Sequence, residues 1–83
     1  MKVKYFAWVR ERIGKAEETV EPPDHVHTVG ELIAWLAGRD ESSAHAFETP
    51  KVIRAAIDRT HVQPNAAIAG AREVAFFPPM TGG

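Results

Sequence analysis

The last residues of the sequence carry the clearest chemical signal. The chain ends in Gly82-Gly83, after a strand-like run, Pro78-Pro79 and a two-residue spacer. Adjacent prolines favour a stiff, extended backbone, and glycines without Cβ atoms make an end thin enough to enter a narrow channel. A terminal carboxylate becomes reactive once it is activated as an acyl phosphate or adenylate. Because glycine-rich termini are often only frayed, the pattern leaves open both an inert tail and a reactive one.

Few other residues are arranged for metal binding or catalysis. The chain has no cysteine, which excludes disulfide bonds and cysteine-type zinc sites. His25 and His27 are two residues apart, but two histidines without a third ligand nearby make an incomplete zinc site. We therefore predict no metal site.

Length and charge exclude several classes of protein. With 83 residues, the chain has room for one domain. Ten basic residues against 11 acidic ones give a formal net charge of −1, which argues against binding to nucleic acid or anionic membranes through bulk charge. The N-terminus lacks a signal-peptide pattern, and no apolar run approaches the ~20 residues of a membrane span. The sequence therefore predicts a cytoplasmic protein that binds neither nucleic acid nor membrane.

The N-terminal part of the sequence predicts two strands and a turn. Residues 2–9 alternate in polarity, which is typical of a β-strand, and place Phe6 and Trp8 on the same, wetter face as two lysines. Gly14 indicates a turn, and residues 16–20 form a second short strand. The two strands suggest a hairpin with a long connection.

The middle of the sequence predicts one main helix. Thr28 and Glu31 have the spacing of a capping box, and apolar residues at helical spacing follow over residues 29–37, with Gly38 as a plausible end. Residues 41–48 add a turn or two of helix, with Phe47 in the core.

The C-terminal part returns to extended chain. We predict a strand over residues 51–57, a turn over 58–60, a short strand at 61–62, a loop over 63–72 and a final strand over 73–77. The order of elements predicts an α+β domain over residues 1–79, in which the helix packs across a mixed sheet of four to five strands. Residues 80–83 form a flexible tail.

Three side chains are candidates for an exposed docking patch. In the last strand, Val74 and Phe76 share one parity and Phe77 has the other, so Phe77 points away from the core. Phe6, His61 and Phe77 then form an aromatic patch near the start of the tail, and such patches often mark interaction sites. Single exposed phenylalanines are also ordinary, and a register slip of one residue would exchange Phe77 with Phe76.

Three segments of the sequence resemble one family of proteins. The ending EVAFFPPMTGG, over residues 73–83, resembles the C-terminal signature of the MoaD type of ubiquitin-like sulfur carrier, in the MoaD/ThiS family. The run YFAWVRERIG, over residues 5–14, resembles the first strand and loop of this family, and AAIDRTHV, over 55–62, resembles its middle strand and turn. His61 stands where the family often has an apolar residue. The resemblance implies a β-grasp fold, as in ubiquitin.

The resemblance also implies a function. A partner activating enzyme, which holds ATP and Mg²⁺, adenylates the Gly83 carboxylate, and a persulfide donor converts it to a thiocarboxylate. The carrier, itself without catalytic machinery, then donates sulfur to cyclic pyranopterin monophosphate in the large subunit of molybdopterin synthase, two of each subunit forming the complex. The implied partner-binding residues are Phe6, Arg10, His61, Phe77, Pro78, Pro79, Met80 and Thr81, with Gly82 and Gly83 as the reacting end.

Two observations from the residues agree with this expectation, and alternatives stay open. Without cysteine the chain cannot carry sulfur as its own persulfide, and without a glycine-rich phosphate loop it cannot hold ATP in the usual way. The alternatives are a related carrier for thiamine or cysteine synthesis or tRNA thiolation, and a β-grasp interaction module with an inert tail.

Overall fold

The structure, a computed structural model, describes residues 1–79. The predicted tail of Met80, Thr81, Gly82 and Gly83 lies outside the described residues. The strands are β1 Lys2–Tyr5, β2 Glu17–Thr19, β3 Arg54–Ile57, β4 Thr60–Val62 and β5 Glu73–Phe77. The helices are α1 Ala7–Ile13, α2 Val29–Ala37 and α3 Glu41–Ala46. No helix in this part of the chain is long and apolar enough to cross a membrane.

The five strands form one mixed sheet in the order β2-β1-β5-β3-β4. The central strands β1 and β5 are parallel, and every other neighbouring pair is antiparallel. Helix α2 contributes four buried residues to the same core as the sheet. First and last strands paired in parallel at the centre, with a helix across the sheet, are the β-grasp arrangement. The predicted α+β, β-grasp fold is therefore confirmed.

The predicted strand over residues 2–9 is wrong in its second half. Strand β1 ends early, and helix α1 covers Ala7–Ile13. Val9 and Ile13 are both buried, and their spacing of four residues places them on one face of a helix. The short alternating run satisfied the strand pattern equally well, which explains the error. The predicted turn at Gly14 is confirmed, because Gly14 ends α1 with a φ of 90°.

Helix α2 has the predicted bounds and the predicted cap. The Thr28 hydroxyl accepts a hydrogen bond from the Glu31 backbone N–H at 3.2 Å, and the Glu31 carboxylate accepts one from the Thr28 N–H at 3.0 Å. Backbone hydrogen bonds, from His27 first and then from Thr28, lower the pKa of Glu31. The short helix predicted over residues 41–48 is confirmed as α3, and Phe47 is buried.

Strand β3 begins later than predicted. Pro50–Val52 forms a 3-10 turn, so the strand starts at Arg54 and not at residue 51. Proline is favoured at the first position of a helical turn because it has no N–H to leave unpaired. Strand β3 therefore has only four residues, and its pairing with β5 places Ala55 and Ile57 on the core side of the sheet.

A tight turn joins β3 to β4. Asp58 and Arg59 have φ values of 47° and 72°, which suit a two-residue hairpin turn, and Thr60 therefore belongs to β4 and not to the predicted turn. The Asp58 carboxylate accepts hydrogen bonds from the backbone N–H groups of Arg72 and Glu73 at 3.1 and 3.0 Å. These bonds attach the hairpin to the start of β5.

The two faces of the sheet differ. One face packs against the helices and carries the largest buried side chains of the strands, which are Val3, Tyr5, Val74 and Phe76. The alternate residues form the other face, which we call the open face. Its members are Lys2, Lys4, Glu17, Thr19, Arg54, Ala56, His61, Glu73, Ala75 and Phe77.

A polar cluster ties β1, β2 and the end of α2 together. The Tyr5 hydroxyl donates to Glu18 at 2.6 Å, and Arg39 donates to the same carboxylate at 3.1 Å. Burial, together with the hydrogen bond to Glu18, raises the pKa of Tyr5. Partial burial by itself would raise the pKa of Glu18, but the hydrogen bonds from Tyr5 and Arg39 outweigh it, and the pKa is lowered.

Candidate functional site

The predicted orientation of the last strand is confirmed. Strand β5 lies between β1 and β3, and both Val74 and Phe76 are fully buried. Phe77, with the opposite parity, is half-buried on the open face. The register slip that would have exchanged Phe76 and Phe77 is therefore excluded. The last residue of β5 presents an aromatic ring next to Pro78 and Pro79, which are also half-buried.

Phe6 is exposed as predicted, but it is not in a strand. It occupies the position that caps α1, directly after β1, and its side chain is 46% exposed. The Phe6 backbone N–H donates to the Phe76 carbonyl oxygen at 3.1 Å. This hydrogen bond places Phe6 at the same end of the sheet as Phe77. Strand β1 ends there, and the chain continues into α1.

His61 is the third member of the aromatic patch, and it contacts Phe77. The two ring centroids are 5.2 Å apart at an interplanar angle of 54°. Strand β3 lies between the strands that carry them, and Ala56 lies opposite His61. A methyl group at position 56 leaves room for the two larger rings to meet above it. The structure therefore brings His61 and Phe77 together across an intervening strand.

Arg10 lies beside the patch on α1. Its side chain is exposed, and its backbone N–H donates to the Phe6 carbonyl oxygen at 3.3 Å. Arg10 is therefore one helical turn from Phe6. Of the predicted partner-binding residues, Phe6, Arg10, His61, Phe77, Pro78 and Pro79 lie within the described part of the chain, whereas Met80 and Thr81 lie outside it, as does the reacting end Gly82-Gly83.

Arg54 was not among the residues predicted from the sequence. This residue lies directly opposite Phe77 in the β3–β5 pair, so both side chains are on the open face, and Arg54 is exposed. Its guanidinium Nη1 donates to the Lys51 carbonyl oxygen at 3.0 Å. The strand predicted over residues 51–57 already contained a signal for it, because Arg54 alternates with the apolar residues on either side.

Neither of the two neighbouring histidines belongs to a metal-binding group. His25 and His27 are exposed before α2, and the His27 backbone N–H donates to Glu31 at 2.8 Å. Within residues 1–79, no three His, Asp or Glu side chains are close enough together to hold a metal ion. A groove of about 490 Å³ lies between α2 and the β3–β4 hairpin, and Lys51 and Arg54 are among its lining residues.

The chain is similar to known proteins in both sequence and fold. The model of the ThiS family matches residues 3–83. The chain is 37% identical to the molybdopterin synthase sulfur carrier subunit of Escherichia coli, over all of this chain and 99% of that one. It is 34% identical, with the same coverage, to the subunit of that name from Haemophilus influenzae. The crystal structure of SAMP1 from Haloferax volcanii matches with a TM-score of 0.73 at 27% identity, over 100% of this chain and 98% of that one.

Proposed function

Because the chain belongs to the ThiS family, we propose that it is a sulfur carrier and acts as the small subunit of a molybdopterin synthase. The observation that supports this most is the Gly82-Gly83 ending, which the family match includes. The aromatic patch supports it too, since it lies at the end of β5, two prolines and a spacer before that ending. A patch that precedes the reactive end by only a few residues lets a partner bind the domain while it processes the last residue.

The loading reaction begins at the Gly83 carboxylate. A carboxylate oxygen attacks the α-phosphorus of ATP on the activating enzyme, pyrophosphate leaves, and an acyl adenylate forms. The terminal sulfur of a persulfide then attacks the acyl carbon, and AMP leaves with the electron pair of the C–O bond. A thiol cleaves the resulting S–S bond, so that Gly83 retains a thiocarboxylate and the donor becomes a disulfide. Adenylation is needed because a carboxylate is a poor electrophile.

The unloading reaction takes place on the large subunit. The thiocarboxylate sulfur forms a C–S bond to cyclic pyranopterin monophosphate, while a C–O bond of the substrate breaks and its oxygen leaves. Water then cleaves the acyl–sulfur bond, which leaves the sulfur on the substrate and returns Gly83 as a carboxylate. Two such transfers build the dithiolene of molybdopterin. This chain contributes the sulfur and its delivery, and the large subunit contributes the binding site for the substrate. We propose that the complex contains two copies of each subunit and works in the cytoplasm.

The partner-binding residues follow from the same proposal. Phe6, His61 and Phe77 provide the apolar contact, and Arg10 provides charge at its edge. Pro78 and Pro79 restrict the directions in which the chain leaves the sheet. Met80 and Thr81 span the distance between the docking surface and the active site of the partner. Gly82 and Gly83 enter that site because glycines need the least space.

Intact-protein mass spectrometry tests the proposal. The chain is incubated with its activating enzyme, ATP and a persulfide donor, and it should gain about 16 Da as –COOH becomes –COSH. Two control mixtures omit either ATP or the persulfide donor, and in neither of them should the chain gain the 16 Da, about the mass difference between sulfur and oxygen. An unchanged mass in the complete mixture would contradict the carrier and favour the interaction module. Carriers for thiamine, cysteine or tRNA thiolation would gain the same mass, but only the proposed carrier then supports molybdopterin formation with the large subunit.

A further inference from the structure

The cations of the open face are divided between two environments. On β1, Lys2 pairs with Glu17 at 3.3 Å and Lys4 pairs with Glu73 at 3.2 Å. The ion pairs among residues 1–79 include neither Arg54 nor Lys51. On the β1 side of the face the cations are therefore neutralised within the chain. Next to Phe77, Arg54 has no acidic partner in the described part, and neither does Lys51 of the preceding 3-10 turn.

Arg54 is held in place although it has no acidic partner there. Its Nη1 donates to the Lys51 carbonyl oxygen at 3.0 Å, which occupies one of the five N–H groups of the guanidinium. The remaining donors keep the planar fork that suits a carboxylate. A side chain that is already oriented loses less conformational entropy when it binds. Arg54 therefore has the properties of a prepared binding group.

The position of Arg54 indicates what it binds. It lies opposite Phe77 at the aromatic patch and also lines the groove between α2 and the β3–β4 hairpin. Arginine next to aromatic rings is the composition enriched in the energetically important part of protein interfaces. A cation at the edge of an apolar patch selects a partner that presents the opposite charge.

We propose that Arg54 is a specificity-determining residue of the docking surface and pairs with a carboxylate of the molybdopterin synthase large subunit. This inference rests on the proposed function, because that function supplies the partner. It adds a requirement on the chemistry of the partner to the apolar contact. When the two subunits dock, an Asp or Glu side chain of the large subunit must reach the guanidinium of Arg54, which lies opposite Phe77. Lys51, exposed next to Arg54, strengthens the local positive potential.

Charge reversal tests the pairing. R54E should weaken binding to the large subunit by about tenfold or more, since it replaces an attraction with a repulsion. The matched control is R59E, which makes the same change in net charge in the hairpin turn, roughly 15 Å away along the strand. R59E should bind within about twofold of the wild type. Both affinities are measured by isothermal titration calorimetry on variants whose melting temperatures match the wild type.

A second variant identifies the partner group. R54K keeps the charge and introduces an amine that a carbodiimide couples to a carboxylate in direct contact. Peptide mapping should show a cross-link between position 54 and an Asp or Glu of the large subunit. A cross-link only to Gly83 of the same chain, or only to a second copy of this chain, would overturn the proposal and identify that group as the occupant instead.

The outcomes separate this inference from the proposed function. If the wild type binds the large subunit and R54E binds within about twofold of it, the pairing is wrong and the carrier function stands. If the wild type neither binds the large subunit nor gains sulfur, the proposed function fails, and this inference fails with it.

Discussion

The two sides of the open face are made from the same sheet but have opposite surface chemistry. Strand β1 carries two lysines, which pair with Glu17 of β2 and with Glu73 at the start of β5. The side formed by β3, β4 and the end of β5 carries the His61–Phe77 ring contact and Arg54, with small alanines between them. Exposed charge pairs keep a strand hydrated and discourage edge pairing, whereas exposed rings gain free energy when a partner covers them. In the proposed function, the first side stays in contact with solvent and the second side binds the partner.

The largest effect should come from a change at the end of the chain, at Gly83. Deletion of Gly83 should abolish sulfur loading, because the new terminus falls short of the active site of the activating enzyme by one residue, about 3.5 Å. The melting temperature should not change, since the last residues of a domain commonly contribute little to its stability. Mass spectrometry and thermal unfolding measure the two quantities. A deletion variant that unfolds, or that still gains sulfur, would contradict the assignment of the end as the reacting group.

The next largest effect should come from the aromatic patch. Phe77→Ala should weaken large-subunit binding by about 2 kcal/mol, in the range expected for an aromatic interface anchor. Lys2→Ala, on the other side of the same face, serves as the matched control and should leave the affinity unchanged. Titration calorimetry measures both. Equal affinities for the two variants would remove the distinction between the two sides.

A smaller effect, on stability alone, should come from Glu18. Its pKa is lowered in the folded chain, so its contribution to stability is present above its unfolded pKa of about 4.3. That contribution is lost as the pH falls through the folded value. Glu18→Gln should therefore lower the free energy of unfolding by about 1–2 kcal/mol at pH 7, and the difference from the wild type should shrink as the pH falls below about 5.

Urea unfolding at several pH values checks this prediction. A difference that stays constant between neutral and acidic pH would show that the carboxylate charge is not what holds the cluster together. Tyr5→Phe removes the donor to the same carboxylate and should destabilise in the same direction. Neither variant should alter partner binding, because both residues lie away from the docking side.

The smallest effect should come from the ion pairs of the open face. Lys4→Gln breaks the partly exposed pair with Glu73 and should reduce the free energy of unfolding by about 0.5 kcal/mol, as ion pairs near the surface contribute little. Binding to the large subunit should be unchanged. A clear loss of affinity would show that the partner also binds the side of the open face that carries Lys4, and it would contradict the division of the face into two sides.

Some elements could be predicted from the sequence because a local rule determined them. The Thr28–Glu31 capping box located α2, and the alternation over residues 73–77 determined the orientation of Phe77. The error in residues 2–9 arose because a short apolar alternation fits both a strand and the first turn of a helix. The resulting change placed Phe6 at the start of α1, where it is still exposed beside β5.

Other features depend on pairing between distant strands. Arg54 and Phe77 are far apart in sequence and meet only through the β3–β5 register, which no local pattern determines. The same holds for the His61–Phe77 contact, which needs Ala56 of the strand between them. The pairing of Tyr5 with Glu18 depends in the same way on the β1–β2 register. Phe6, His61 and Phe77 could be named as candidates from the sequence. The difference between the two sides of the open face could not be predicted, because it depends on which strands pair and in which register.

Tandem mass spectrometry of the loaded chain tests the central claim most directly. The chain is incubated with the activating enzyme, ATP and a persulfide donor. One sample is then chased with the large subunit and cyclic pyranopterin monophosphate, and the C-terminal peptide is isolated from the chased and the unchased samples. The account predicts an added mass of about 16 Da on Gly83 alone, which disappears only when the large subunit and its substrate are both present. An unmodified Gly83, or sulfur that is not released in the complete chase, would contradict it.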